Sequence, residues 1–166
     1  MTPLTSYLCL MKHLILAALL APATAHAHGF SADKLIIAHP MAFETTPTAQ
    51  TAGGYMVIMN IGETADRLLA VKADFPKVTL HTTVEEDGIA RMRELDAIDV
   101  PPMAQTPLQP GGMHIMFMGL DGDPFEVGEE IPATLVFEQA GEVRVTFQVE
   151  PRGADAVDHS NHGATN

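Results

Sequence analysis

From about residue 34 onward, short runs of apolar and β-branched residues alternate with Gly, Pro, Asp and Asn. This alternation of strand-like runs and turn formers is typical of an all-β sandwich or barrel. The chain shows no internal repeat, and 166 residues give room for one domain of ordinary size. We therefore predict a single all-β domain. Its strands are expected near residues 34–39, 54–61, 67–72, 77–84, 89–95, 114–119, 133–138 and 142–149.

The last two of these runs predict the clearest hairpin. The segment 139–141 between them ends in a glycine, which is well placed for a positive backbone angle. Arg144 and Thr146 alternate with valine and phenylalanine, so one face of this hairpin should be packed and the other wet. Segment 101–112, in contrast, is rich in proline and is predicted to be a loop that delivers the strand at His114, because proline does not fit a central strand.

The N-terminal segment is predicted to be a targeting sequence rather than part of the fold. Lys12 precedes a short apolar run and then small residues, which is the pattern of a secretory signal peptide. Cleavage fits after Ala27, which we prefer, or after Ala25. The run is too short for a stable membrane span. We expect a signal peptide at 1–27, a domain at 28–149 and a flexible His-containing tail at 150–166, in a protein exported to the periplasm.

Charge and cysteine content exclude several functions. The 21 Asp and Glu residues outnumber the 9 Lys and Arg residues and give a net charge of -12, so a nucleic-acid partner is not expected. Cys9, the single cysteine, would leave with the signal peptide. A mature chain without a thiol excludes blue-copper, structural zinc, iron–sulfur and thiol-redox centres. No catalytic triad, phosphate loop or paired-carboxylate motif is present, so we do not expect an enzyme.

The segment 114–118, His-Ile-Met-Phe-Met, is the most informative short motif. Residues two apart on a strand share a face, so His114, Met116 and Met118 should point one way and the two residues between them towards the core. Near the rim of a sheet, this places an imidazole beside a thioether. The alternative is that the methionines pack and His114 is a hydrogen-bonded bystander.

A second His and Met lie on the arms of a predicted hairpin with its tip at 85–88. If Val84 pairs with Ile89, then His81 faces Met92 directly, with about 5 Å between their Cβ atoms. The alternative is an exposed histidine opposite a half-buried methionine. Thioether sulfur is soft and suits Cu(I), but it is a poor ligand for Zn, Mg, Ca or Mn. Two His and two Met without thiolate suit a carrier that must release its ion.

The order His81, ten residues, Met92, twenty-one residues, His114, one residue, Met116 resembles the signature of the PCuAC-type periplasmic copper chaperones. The likeness covers roughly residues 35–149. It extends to stretches outside these four residues, namely 54–60 (GYMVIMN), 66–69 (DRLL), 110–116 (PGGMHIM) and 137–141 (FEQAG).

This resemblance implies a cupredoxin-like Greek-key β-sandwich, with Cu(I) bound by His81, Met92, His114 and Met116. It also implies delivery to the CuA centre of cytochrome c oxidase or to its assembly factors. The family sometimes has methionine straight after the first histidine, where this chain has Thr82. Strand alternation should point Thr82 away from the site, so we expect no loss from this difference.

Other residues are weaker candidates. Met113 and Met118 could offer a spare sulfur, although packing also explains them. Met41, Met56 and Met59 fit core patterns, Met103 is less certain, and His39 is expected at a strand end with a structural role.

The termini offer nitrogen ligands for Cu(II), namely His26 or His28 at a new N-terminus and His159 and His162 in the tail. The alternative functions are accordingly a Cu(II) enzyme with an N-terminal histidine, or a β-sandwich assembly module without metal. A monomer is expected.

Overall fold

The computed structural model describes residues 29–32 and 34–153, and these residues form eleven β-strands and no α-helix. The all-β prediction is therefore confirmed. Within the described part of the chain, no helix is long and apolar enough to cross a membrane. In chain order the strands are β1 (Gly29–Ala32), β2 (Leu35–Phe43), β3 (Thr51–Asn60), β4 (Asp66–Ala73), β5 (Lys77–Glu86), β6 (Ile89–Leu95), β7 (Ile98–Val100), β8 (Ala104–Leu108), β9 (Met113–Met118), β10 (Glu130–Phe137) and β11 (Gly141–Glu150).

Strands β1, β7 and β8 are missing from the sequence prediction. The segment 101–112 is not all loop, because β8 runs through Pro107 and places it opposite Val57 of β3. Strand β8 pairs with β3 alone and is an edge strand, where the N–H that proline lacks is not needed on the outer side. The predicted hairpin of β10 and β11 is confirmed, with Gly141 at φ 73° and Leu135 opposite Val143.

The strands follow one hydrogen-bonded path in the order β6-β5-β9-β3-β2-β11-β10-β4-β7. Chain neighbours β3 and β4 are separated on this path by three other strands, as Greek-key connections require. Strand β2 turns the path, because its first half pairs with β1 and its last residues pair in parallel with β11. His39 lies at this irregularity, with φ 50°, in the middle of β2 rather than at the strand end that was predicted.

The two halves of the path enclose one core. Side chains from β3, β5 and β9 in the first half pack in the same cluster as side chains from β4, β10 and β11 in the second. Phe117 and Phe147 link the halves, with ring centroids 5.6 Å apart and planes at 82°. Gly54 is needed beneath them, because a Cβ at this position would lie 2.8 Å from the Phe117 ring. Met41 and Met56 are buried, as predicted, but Met59 is only partly buried and lies outside the core, and Met103 is 73% exposed.

A buried polar network closes the end of the sandwich where β3 ends and β4 begins. Asp66 is 6% exposed, and its carboxylate accepts hydrogen bonds from the backbone N–H groups of Arg67, Gln139 and Ala140 at 2.7, 2.9 and 3.0 Å. Asn60 donates to the carbonyls of Thr64 and Val100. These contacts attach the β10–β11 turn to β4 and satisfy backbone groups that strand pairing leaves free.

Candidate metal centre

The hairpin of β5 and β6 has a different register from the predicted one. Its turn is the two-residue segment Asp87-Gly88, with φ values of 55° and 76°, so Glu86 rather than Val84 pairs with Ile89. Positive φ at both central residues is the type I′ geometry that aspartate and glycine favour. His81 therefore faces Glu94, and Met92 faces Thr83. The prediction that His81 and Met92 face each other directly was wrong.

Met92 nevertheless lies on the predicted face of the hairpin, because the observed register differs from the predicted one by an even number of residues. Met92 remains on the same side of the hairpin as His81, as its diagonal neighbour one strand away, roughly 7–8 Å between Cα atoms. At this distance a long side chain still reaches its neighbour. In the structure, however, Met92 is 59% exposed on β6, which ends the hydrogen-bonded path and has no strand on its outer side.

Strand β9 brings the second histidine to the first. In the pairing of β5 with β9, His81 lies directly opposite His114. Their rings are nearly parallel, with an interplanar angle of 25° and centroids 5.8 Å apart. His114 is only 6% exposed, whereas His81 is partly exposed. The structure thus brings the two predicted site histidines together across two strands that are distant in the sequence.

Met116 lies on the same face, two residue pairs further along β9, opposite Thr79 of β5. It is half-buried, and on its other side it faces Gly53 of β3. Met118 continues this face, whereas Met113 points the other way and packs against the core. Thr82 pairs with Met113 on that opposite face, as alternation predicted.

Each imidazole is held through one ring nitrogen by a group two residues earlier in the chain. The Nδ1 of His114 lies 3.0 Å from the carbonyl oxygen of Gly112, which can only accept, so Nδ1 carries the proton and Nε2 keeps its lone pair. The Nε2 of His81 lies 2.9 Å from the Thr79 hydroxyl. The Nδ1 of His81 is buried and has no hydrogen-bond partner among the described residues. An unpartnered imidazole nitrogen beside a second histidine fits a metal ion.

Burial lowers the pKa of His81 below its ordinary value. The neighbouring His114 and Lys77 lower this pKa further, while Glu94 across the strand opposes them. Neutral imidazole is the form that binds a metal ion, so the surroundings of His81 favour the binding form.

Sequence reasoning missed Tyr55, which closes the site on the side of β3. Its ring lies 6.5 Å from that of His114 and 5.6 Å from that of Phe43, centroid to centroid. The ring leans back along its own strand over Gly53, where any Cβ would collide with the tyrosine hydroxyl. Burial raises the pKa of Tyr55 above its ordinary value. The glycine preceding Gly54 was the available signal, since it leaves room for a flat ring.

The donors on this face include imidazole nitrogen and thioether sulfur, beside oxygen atoms such as those of Glu94 and Tyr55. Among residues 29–32 and 34–153, no three His, Cys, Asp or Glu side chains form a group that could hold a metal ion. Thioether sulfur beside imidazole nitrogen favours a soft ion such as Cu(I). His26, His28, His159 and His162 lie outside the described residues, as do the predicted signal peptide and most of the tail.

The fold is that of a PCuAC domain, a cupredoxin-like β fold. The copper-bound PCuAC domain from PmoF2 is 32% identical, with a TM-score of 0.63, over 75% of this chain and 98% of that domain. Apo-DR1885 from Deinococcus radiodurans is 25% identical, with a TM-score of 0.56, over 79% of this chain and 87% of that protein. The predictions of a cupredoxin-like fold and of a PCuAC-type protein are confirmed.

This chain belongs to the LpqE-like family, described as putative lipoprotein LpqE-like, whose family model matches residues 33–149. A relative in Leifsonia xyli subsp. xyli (strain CTCB07), the putative lipoprotein Lxx21020, is 30% identical over 131 residues, which cover 78% of this chain and 77% of that protein.

Proposed function

We propose that this protein is an exported copper carrier that binds one Cu(I) ion through His81, His114, Met116 and Met92 and passes it to another protein. The observation that carries the proposal is the pair of facing imidazoles, each with a ring nitrogen free for a metal ion, beside a half-buried thioether. The copper bound to the PCuAC domain from PmoF2 supports copper as the metal. In this proposal the protein has no catalytic activity of its own.

The four ligands have unequal roles in this proposal. His114 and Met116 are held by packing around β9, and His81 faces them from β5. Met92 is exposed on an edge strand, so its thioether joins the ion last and leaves it first. A neutral set without thiolate holds a monovalent ion with little charge bias and releases it readily. An incoming ligand from a partner would replace Met92 without disturbing the core.

The recipient in this proposal is the CuA centre of cytochrome c oxidase or one of its assembly factors, reached in the periplasm. The LpqE-like family and its lipoprotein relative support an exported protein. The net charge of -12 favours encounter with a recipient that presents a basic surface around its copper site.

An anaerobic titration with a chromogenic Cu(I) chelator as competitor tests the site. The wild type should bind one tight equivalent, and the double variant Met92→Leu/Met116→Leu should lose it. Met103→Leu is the control, because Met103, like Met92, is an exposed methionine but lies near the opposite end of β3. Wild-type binding in the double variant would refute the site. In that case the variant His159→Gln/His162→Gln shows whether the tail holds the ion.

A second experiment tests delivery. The Cu(I)-loaded protein is mixed with the apo form of a soluble CuA domain, the two proteins are separated, and copper is measured in each. Copper should move to the CuA domain faster than it moves to a chelator of equal affinity. Equal rates would contradict a dedicated carrier for this recipient, even if the Cu(I) site is correct.

A further inference from the structure

We propose that Thr79 is a positioning residue that fixes the proton of His81 on Nε2, so that Nδ1 of His81 is the atom that binds Cu(I). In the same arrangement Met118 accepts a hydrogen bond from Thr79 and is not a ligand. This inference rests on the proposed copper site but names atoms that the family resemblance does not give. It begins from the buried Nδ1 of His81, which has no partner.

The second contact of the Thr79 hydroxyl favours one direction for its hydrogen bond with His81. The Oγ1 atom of Thr79 lies 2.9 Å from Nε2 of His81 and 3.9 Å from Sδ of Met118. A thioether can only accept, and a hydroxyl has one hydrogen to donate. If that hydrogen goes to sulfur, the hydroxyl must accept from Nε2–H. The proton of the neutral ring then sits on Nε2, and Nδ1 is left with a lone pair.

His114 shows the complementary arrangement. The carbonyl of Gly112 receives hydrogen bonds from Nδ1 of His114 at 3.0 Å and from the backbone N–H of Thr83 at 3.1 Å. The second bond holds the carbonyl against β5, so the proton of His114 is fixed on Nδ1. One histidine therefore offers Nδ1 and the other offers Nε2. The two rings are nearly parallel with centroids 5.8 Å apart, and their lone pairs lie on different nitrogen atoms, Nδ1 of His81 and Nε2 of His114.

The two methionines of β9 on this face take separate roles as a result. Met116 lies opposite Thr79 and two residues from His114 in the chain, and no hydrogen bond engages its sulfur in the described structure. The sulfur of Met118, two residue pairs further from the imidazoles than Met116, accepts a hydrogen bond from the Thr79 hydroxyl. An ion held by His81 and His114 is therefore completed by Met116, and Met118 anchors the hydroxyl that orients His81. Partners of this kind typically change metal affinity about 10- to 100-fold when removed.

The test uses the full mature protein and the variants Thr79→Val, Thr79→Ser and Thr83→Val. Valine keeps the shape of threonine and its preference for strands but lacks the hydroxyl, whereas serine keeps the hydroxyl. Thr83 is the matched control, because it lies on the same face of the same strand and no side-chain hydrogen bond to a histidine involves it. The tautomer of His81 is read in the apo protein from two-bond 1H–15N correlations, assigned with His81→Gln.

Wild type, Thr79→Ser and Thr83→Val should show His81 protonated on Nε2, and Thr79→Val should show a mixture of tautomers. The Cu(I) affinity of Thr79→Val should fall about 10-fold and be restored in Thr79→Ser. A wild-type His81 protonated on Nδ1 would overturn the inference, and so would a Thr79→Val variant with unchanged tautomer and affinity. Absence of Cu(I) binding in the wild type would refute the proposed function instead, while the apo tautomer would still decide the role of Thr79.

Discussion

Replacing Asp66 with asparagine should destabilise the fold and leave the metal centre intact. The carboxylate is 6% exposed and accepts three backbone hydrogen bonds. Hydrogen bonds to charged groups contribute about 1.5–3 kcal/mol each, and neutral ones about 1 kcal/mol. Asparagine keeps one acceptor oxygen, loses the charge and turns an NH2 group towards one of the N–H donors. One bond is lost and the others weaken, so we expect a loss of about 3 kcal/mol in the free energy of unfolding.

A loss of this size is large for a domain whose total stability is about 5–15 kcal/mol. At this chain length it corresponds to a fall in Tm on the order of 10 °C. The measurement is urea denaturation of the apo protein followed by far-UV circular dichroism, since the chain has no tryptophan. Cu(I) affinity under native conditions should not change, because Asp66 lies near the end of β3 remote from Gly53 and Tyr55.

The matched control is Asp99→Asn on β7. The Asp99 side chain is 85% exposed and pairs only with the partly exposed Arg67 at 3.3 Å, so its loss should cost no more than about 0.5 kcal/mol. If Asp66→Asn were as mild as this control, the carboxylate would not be what holds the turn between β10 and β11. A large drop in Cu(I) affinity in the folded variant would contradict the separation of the two ends.

Other changes should separate core, site and pH effects. Gly54→Ala places a Cβ 2.8 Å from the Phe117 ring and should lower the free energy of unfolding by about 1–3 kcal/mol; an unchanged denaturation midpoint would mean that the ring moves aside freely. Met92→Leu alters an exposed side chain, so stability should stay within about 0.5 kcal/mol of wild type while Cu(I) affinity falls. Because the pKa of His81 is lowered by folding, the unfolded chain binds its proton more tightly, and the apo protein should lose stability as pH falls from the ordinary histidine value through the lowered one. Urea midpoints at pH 7.5 and 5 should differ less in His81→Gln than in wild type, and an equal difference would contradict this assignment.

The sequence was sufficient to predict the all-β class, most strands and the face on which the candidate ligands lie. These depend on alternation along a strand, which is a local property. The β5–β6 register was misjudged because a four-residue tip was assumed, while Asp87-Gly88 forms a two-residue turn. Pairing of β5 with β9, which brings His81 to His114, joins strands separated by β6, β7 and β8. Alternation within each strand contains no information about such a partner.

Tyr55 and Thr79 were missed for a related reason. Each acts through a contact that depends on the orientation of its side chain, over Gly53 in one case and towards Nε2 of His81 in the other. The edge strand β8 was missed because proline was taken as a sign of a loop, although an edge strand tolerates proline.

The two opposite faces of β5 and β9 have different roles. Residues such as Leu80, Ile115 and Phe117 specify the core, while the residues between them specify the chemistry on the outer side. Substitutions at exposed positions of the outer side, such as Met92, leave the core residues unchanged, so selection can exchange or weaken such a ligand without first rebuilding the fold. Descendants of one ancestral domain can therefore diverge in the cargo they handle while keeping the same architecture, and each new sequence of this type must be judged by the identity of its outward-facing positions.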